Sequence, residues 1–144
     1  MKKGSSDLLL LDINVLLALA WPNHQFHQSA IQRFADRRIR WATCVVTQLG
    51  FIRLSSNPAA VSPARSPVES RVLLSEMVAD PNHVFLPRSP EPAKIDEFAK
   101  ILGTQQVTDL YLLFLARQHQ ASLVTFDRRL RSIGGNADDV EVLG

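Results

Sequence analysis

The segment LLLLDINVLLALAWP, residues 8–22, decides the fold because it joins a strand to a helix across a polar turn. The apolar run 8–11 predicts a short buried strand, and residues 13–20 predict the helix that follows it. Asp12 and Asn14 are polar residues within this otherwise apolar segment. Burial of a carboxylate is unfavourable unless hydrogen bonds, a cation or a metal compensate for the lost hydration. Asp12 is therefore expected to have such a partner.

Strand-like and helix-like segments alternate along the rest of the chain. Strands are expected at residues 8–11, 41–46, 84–86, 122–126 and 140–143, and helices at 13–20, 26–38, 47–56, 68–79, 92–102, 108–117 and, as a short turn, 128–133. This alternation is typical of an α/β domain whose mostly parallel sheet is covered on both faces. With 144 residues, the chain is expected to form a single domain, 1–144, in which residues 1–6 are a disordered tail.

The composition excludes several classes of protein. A hydrophobic fraction of 46% and a charged fraction of 21% are those of a globular protein. No apolar run reaches the roughly 18 uncharged residues of a membrane helix, and no cleavage site of a signal peptide follows the first apolar run, so a cytoplasmic location is expected. The single cysteine, Cys44, excludes an internal disulfide and a cysteine-cluster metal site. The net charge is +2, but 12 arginines against 4 lysines favour a polyanion or an acidic protein as partner, or else a solvated helix surface.

Three aspartates follow predicted element boundaries. Asp12 directly follows the first strand, and Asp127 directly follows the strand at 122–126. Asp109 lies in the first turn of a helix that Thr108 is expected to cap. Each carboxylate alone could cap a helix and complement its dipole. Because ligands of parallel sheets bind at the carboxyl ends of the strands, however, the three are expected to converge at one edge.

Converging carboxylates repel one another unless a cation joins them or some remain protonated. Oxygen ligands favour hard cations such as Mg²⁺ or Mn²⁺ over zinc. Such a cation polarises a phosphate oxygen, lowers the pKa of a bound water and neutralises the charge of the leaving group. In an arginine-rich chain, arginines would hold a nucleic-acid backbone while metals lie at the scissile phosphate.

Four segments carry a resemblance to a known family. They are LLLLDINVLLALAWPNHQFH (8–27), ATCVVTQLGFIRLSSNP (42–58), VTDLYLLFLA (107–116) and LVTFDRRL (123–130). In this order and spacing they resemble the PIN domain, specifically the VapC-type toxin ribonucleases of bacterial toxin–antitoxin pairs. The resemblance implies a three-layer α/β/α fold, Mg²⁺- or Mn²⁺-dependent hydrolysis of RNA by a metal-activated water, homodimerisation, and inhibition by a cognate VapB-type antitoxin. Transfer or ribosomal RNA is the substrate that the family suggests.

The resemblance also assigns roles to individual residues. Asp12, Asp109 and Asp127 match metal-binding acids of the family pattern and would form the catalytic centre. Asn14 matches the polar residue that follows the first acid, and Thr125 matches a hydroxyl residue that precedes the last acid. Both would orient ligands or water.

One position departs from the family pattern. Many PIN domains have a glutamate where this chain has Gln48, whose amide can orient a ligand but brings no charge. The number of metal ions, one or two, therefore stays open, as does the approach of another acid, Glu91, Asp96 or Glu97. An alternative function is a catalytically inactive PIN-fold module that binds RNA or a protein.

The arginines after Asp127 are the best candidates for an RNA-phosphate patch. Arg128, Arg129 and Arg131 follow it closely, although a solvated turn is an equal interpretation. Arg53 is expected to form either a structural ion pair or a phosphate contact.

Two further interpretations carry less weight. His24 and His27 are spaced like a ligand pair, but zinc would need further histidines or cysteines, so surface, dimer or substrate contacts are favoured. A phosphotransfer domain is disfavoured because a phosphatase of the haloacid dehalogenase type needs a second acid at position 14, where this chain has Asn14.

Overall fold

The computed structural model describes residues 8–96, 98, 106–131 and 139–144. Its strands are β1 (Leu8–Leu11), β2 (Arg40–Thr43), β3 (His83–Phe85), β4 (Ser122–Thr125) and β5 (Val140–Val142). Its α-helices are α1 (Ile13–Ala20), α2 (His27–Arg33), α3 (Val45–Ser55), α4 (Pro67–Val78) and α5 (Val107–Gln118). The expected tail at residues 1–6 lies outside the described residues.

The five strands form one sheet in the order β3-β2-β1-β4-β5, and all four pairings are parallel. Leu9 of the central strand pairs with Trp41 of β2 on one side and with Ser122 of β4 on the other. The chain therefore adds strands outward from β1 to β3 and then returns to the other side of β1. The strand order reverses between β1 and β4, which is where open α/β sheets form their ligand crevice.

Side chains of the central strands alternate between two apolar layers. Leu10 and Leu123 face the cluster that contains α5. Leu9, Leu11 and Val124 face the cluster that contains α1, α3 and α4. Because successive residues of a strand point to opposite faces, continuous apolar strands bury both faces of the sheet. The three-layer α/β/α fold is confirmed.

The second strand is shorter than expected. It ends at Thr43 rather than at residue 46, and the next helix begins at Val45 rather than at Thr47. The Cys44 backbone N–H donates to Thr47 Oγ1 at 2.9 Å, so Thr47 completes the start of the helix from its third position. A hydroxyl that accepts a free N–H at a helix start is a common capping interaction, and here it overrides the apolar strand pattern.

The second helix is also shorter, ending at Arg33 instead of residue 38. Beyond it, Asp36 accepts hydrogen bonds from the Arg38 backbone N–H and guanidinium at 2.9 and 3.0 Å, which stabilises a turn in place of another helical turn. Within this helix, Ala30 is buried, whereas Ile31 is 42% exposed.

Two helix starts after β3 differ from expectation. The helix expected at 92–102 begins as a 3₁₀ turn, Pro92–Lys94, and residues 97 and 99–105 lie outside the described part. The next helix begins at Val107 with Gln106 preceding it, so Thr108 is its second residue and does not cap it. The turn expected at 128–133 is described only as far as residue 131.

Within the described ranges, no helix has the length and apolar character required to cross a membrane.

Candidate active site

A cavity of about 900 Å³ lies at the carboxyl edge of the sheet. Asp12, which follows β1, and Asp127, which follows β4, line it together with Asp109 from the first turn of α5. Helix α3 forms the opposite wall. The structure thus brings the three aspartates together at the switch point between β1 and β4.

Asp12 is 5% exposed, and hydrogen bonds compensate for its burial. Its Oδ1 accepts the Ile13 backbone N–H at 2.7 Å, and its Oδ2 accepts the Thr125 hydroxyl at 2.8 Å. Burial raises the pKa of this carboxyl, while the two hydrogen bonds partly oppose that shift. The carboxylate therefore caps α1 and faces the cavity as well.

Asp127 is held by Thr125 and Arg129. Its backbone N–H donates to Thr125 Oγ1 at 3.1 Å, so one buried hydroxyl joins both aspartates. Its Oδ1 and Oδ2 accept guanidinium hydrogen bonds from Arg129, both at 3.0 Å. These bonds hold the pKa of Asp127 below its usual range.

Asp109 has the least favourable surroundings of the three aspartates. Burial, followed by the charges of Asp12 and Asp127, raises its pKa to about 7, although Arg129 opposes the shift. Near neutral pH, the ionised form of this carboxyl is destabilised by its neighbours. A bound cation would relieve that repulsion.

The donor set fits a hydrated hard cation. Among the residues described, no three histidine, cysteine, aspartate or glutamate side chains come close enough together to bind one ion directly. Mg²⁺ is usually held by one or two carboxylates and keeps several waters, so it does not need a closed protein cage. Negatively charged oxygen ligands also favour Mg²⁺ or Mn²⁺ over zinc.

Of the residues predicted to orient ligands, Thr125 contacts Asp12 and Asp127. Asn14 lines the cavity from α1. Gln48 is not among the described residues that line it, because its amide donates to Thr43 Oγ1 at 2.9 Å. The same hydroxyl lies 2.7 Å from His83 Nε2. Gln48 therefore belongs to a separate hydrogen-bond chain.

The arginines are distributed differently from the predicted patch. Arg129 lines the cavity but is engaged by Asp127. Arg128 and Arg131 are exposed, and neither is among the described residues lining the cavity. Arg53 lines the cavity from α3.

Several other candidate ligands lie elsewhere. Glu91 and Asp96 are exposed and are not among the described residues of the cavity wall, and Glu97 lies outside the described part. His24 stacks on Phe126 with ring centroids 6.1 Å apart, and His27 Nδ1 lies 2.6 Å from a backbone carbonyl oxygen of α1. Both histidines therefore make local packing contacts.

Gly50 contributes to the cavity in a way that the sequence interpretation missed. A Cβ atom at this position would lie 2.3 Å from Ile13 Cδ1, so the glycine allows α3 to approach α1 closely. Ile13 follows Asp12 and donates to it, which makes this contact part of the support for the carboxylate. An isolated glycine inside a helix was the available signal, since such a residue usually has a packing reason.

Comparison with known proteins agrees with this architecture. The PIN domain family model matches residues 9–136. Ribonuclease VapC38 of Mycobacterium tuberculosis is 40% identical over 121 residues, covering 83% of this chain and 85% of that protein. Ribonuclease VapC39 of the same species is 34% identical over 145 residues, covering 93% of this chain and 98% of that protein.

A solved structure shares the fold. The crystal structure of VapBC2 from Rickettsia felis, bound to a DNA fragment from their promoter, matches with a TM-score of 0.60 and 11% identity. The match covers 95% of this chain and 99% of that one. The chain belongs to the PIN domain family, and its relatives place it in the VapC branch of that family.

Proposed function

We propose that this protein is a metal-dependent endoribonuclease toxin that hydrolyses RNA. The observation that carries the proposal is the convergence of Asp12, Asp109 and Asp127 in one cavity at the switch point of the sheet. The ribonuclease names of the relatives support RNA as the substrate. Transfer or ribosomal RNA is the proposed target.

One or two of the three aspartates would bind Mg²⁺ directly and the others through its waters, and Mn²⁺ is a chemically similar substitute. The ion would neutralise charge on the scissile phosphate and lower the pKa of the attacking water. Thr125 would fix the relative positions of Asp12 and Asp127, since its hydroxyl donates to the Asp12 carboxylate and accepts the Asp127 backbone N–H. Asn14, at the cavity wall, would orient water or a phosphate oxygen.

Arg129 would act on the same site through Asp127. Its guanidinium holds both carboxylate oxygens, which limits their rotation. Arg128 and Arg131, both exposed beyond this pair, would attract the RNA backbone electrostatically.

The test is cleavage of total cellular RNA with Mg²⁺ or with EDTA. Asp12→Asn should lower the rate by a factor on the order of 100 or more, because it removes charge from the centre while keeping the shape. Asp36→Asn is the matched control, since this exposed carboxylate precedes β2 and therefore lies towards the opposite edge of the sheet. Full activity in EDTA or in Asp12→Asn, or an equal loss in the control, would contradict the proposal.

An inactive binding module is the alternative, and titration with Mn²⁺ separates the two. An active centre should bind Mn²⁺ in a calorimeter and lose that binding in Asp109→Asn. A module that has lost its function should show no appreciable binding in either protein.

The proposed partners are a cognate VapB-type antitoxin and a second copy of this chain. The VapC names of the relatives support the antitoxin. Co-expression with the product of a small adjacent gene should suppress RNA cleavage and yield a stable complex.

Val68 and Val72 of α4 support a homodimer. They lie one turn apart and are 68% and 43% exposed, and exposed apolar surface favours association. Val68→Asp should then produce monomers in analytical ultracentrifugation.

A further inference from the structure

We infer that Arg53 binds a phosphate of the RNA that flanks the scissile one, so that the strand lies along α3. The inference rests on the proposed ribonuclease function. It assigns the substrate contact to the α3 wall of the cavity, opposite the residues that follow Asp127.

Arg53 lines the same cavity as the three aspartates, yet it pairs with none of them. Within the described part of the chain, its exposed guanidinium makes no ion pair and no side-chain hydrogen bond. An unpaired arginine beside three carboxylates indicates that the carboxylates are out of its reach or are already engaged. Asp12 accepts hydrogen bonds from Ile13 and Thr125.

The position along α3 explains the separation. Val46, Leu49 and Arg53 follow one another at spacings of three and four residues, and all three line the cavity. The helix begins next to the end of β2, a neighbour of β1, and therefore near Asp12. Gly50 packs against Ile13 beside Asp12, and at about 1.5 Å per residue Arg53 lies roughly 5 Å further along the helix axis. Leu54 and Ser56, further along the chain, also line the cavity, so Arg53 lies partway along its α3 wall.

Between the helix start and Arg53, the wall is mainly aliphatic. Leu49, 62% exposed, lies there together with Val46 and Ile52. These side chains can contact ribose and base surfaces but cannot bind a phosphate. Since guanidinium groups bind phosphate through paired hydrogen bonds, Arg53 is the group on this wall suited to the backbone.

The comparison with Arg129 favours Arg53 as the phosphate ligand. Arg129 already uses its guanidinium in a two-point contact with Asp127, whereas Arg53 presents its guanidinium to the cavity. An RNA strand with its scissile phosphate at the aspartates could thus extend along α3 and place a neighbouring phosphate at Arg53.

The test measures binding of a fluorescein-labelled, random-sequence RNA of about 20 nucleotides by fluorescence anisotropy, in EDTA and over a range of salt concentrations. Loss of one phosphate contact on a single strand lowers the slope of log affinity against log salt by about 0.7. Arg53→Gln should show this decrease, with affinity falling on the order of fivefold near physiological salt. Arg53→Lys, which keeps the charge, should retain the slope.

Arg40→Gln is the matched control, because this exposed arginine begins β2 and lies at the opposite edge of the sheet. Its slope and affinity should equal those of the wild type. A second readout is steady-state cleavage in Mg²⁺, in which Arg53→Gln should raise KM and leave kcat unchanged, since the flanking contact persists through the reaction. A structural defect would instead lower the melting temperature and leave the salt slope intact.

An unchanged slope in Arg53→Gln, or an equal decrease in Arg40→Gln, would overturn the inference. If the wild type also cleaves RNA with dependence on Mg²⁺ and Asp12, the proposed function survives that result. Conversely, a decreased slope in a protein whose RNA cleavage needs neither Mg²⁺ nor Asp12 would support Arg53 as a phosphate ligand and contradict the metal-dependent mechanism.

Discussion

Thr125 and Thr43 lie at the ends of β4 and β2, on either side of the central strand, and organise contrasting surroundings. Both are fully buried. Thr125 donates to the carboxylate of Asp12, whereas Thr43 contacts the Gln48 amide and the His83 imidazole.

The two hydroxyls have the same structural task but different partners. Burial lowers the pKa of His83, although the charge of Asp80 opposes the shift, and so favours the neutral imidazole beside Thr43. On the β4 side, Asp127 lies two residues after Thr125, and Asp12 follows the neighbouring strand β1. A buried hydroxyl at a strand end therefore orients whatever polar group is nearby, and the residues after the strands determine whether the region can hold a cation.

The largest expected effect separates these two regions directly. Thr125→Val should lower the rate of RNA cleavage by about 10- to 100-fold, the usual cost of removing a group that orients a metal ligand. Thr43→Val should change the rate by roughly threefold at most, because its hydroxyl contacts Gln48 and His83 and shares no hydrogen bond with the aspartates. Initial rates in Mg²⁺ check both values, and thermal unfolding serves as the control because Thr43→Val leaves buried polar groups unpaired. Equal losses of activity in the two variants would refute the comparison.

The contact between Gly50 of α3 and Ile13 of α1 supports the Asp12 side of the cavity. Gly50→Ala should lower the free energy of unfolding by about 1 to 3 kcal/mol, since its Cβ would overlap Ile13, and should also lower activity. Chemical denaturation measures the change. Ile13→Val in the same protein should recover part of it by removing the crowded Cδ1 atom. Without crowding, alanine would stabilise the helix by about 1 kcal/mol, so a more stable Gly50→Ala protein would contradict the expected contact.

The free-energy cost of placing the Asp109 carboxylate near Asp12 and Asp127 should depend on pH. In EDTA, the pKa of Asp109 is about 7 in the folded chain, against an ordinary value of 3.8, so the folded state binds more protons between these values. The contribution of this group to stability is therefore present below about pH 4 and is lost as the pH rises through about 7.

Asp109→Asn should remove this dependence. The variant should gain on the order of 1 to 2 kcal/mol over the wild type at pH 7.5, a figure reduced for the solvent that reaches the half-buried carboxyl. Melting temperatures from about pH 4 to 8 measure the gain, which should shrink towards acid. A difference that is constant with pH would show that the carboxyl ionises normally. Asp36→Asn is again the control.

The smallest expected effect comes from placing a negative charge at position 48, beside Thr43. Gln48→Glu would set a carboxylate against Thr43 and near His83, so the pKa of His83 should rise relative to the wild type. Titration followed by NMR measures the change. The stoichiometry of Mn²⁺ binding should stay the same, because position 48 is directed away from the cavity. A second equivalent of Mn²⁺ would show instead that Gln48 marks a lost ligand position.

Much of the fold could be predicted because the periodicity of apolar residues is local information. The bounds of β1 and α1 matched the prediction at every residue. The errors arose where side chains capped an element from nearby. Thr47 accepts the Cys44 N–H and Asp36 accepts the Arg38 N–H, and in both places the polar contact overrides the apolar pattern.

The candidate site could be predicted in part. Its three aspartates were located through element boundaries and family resemblance, and the structure places them in one cavity. The separate position of Gln48 and the contact of Arg129 with Asp127 were not predicted. Such partners depend on side-chain directions in three dimensions, which neither composition nor spacing specifies.

The sequence by itself determined that Asp12 and Asp127 follow buried strands, because a strand of apolar residues ends where a carboxylate must reach solvent or a partner. Only the tertiary structure decided that β1 and β4 are neighbours, that Thr125 joins their aspartates, and that α5 adds Asp109 to them. These outcomes depend on the pairing of strands more than a hundred residues apart. Strand order results from packing the whole chain, and the electrostatic environment of each carboxylate follows from it.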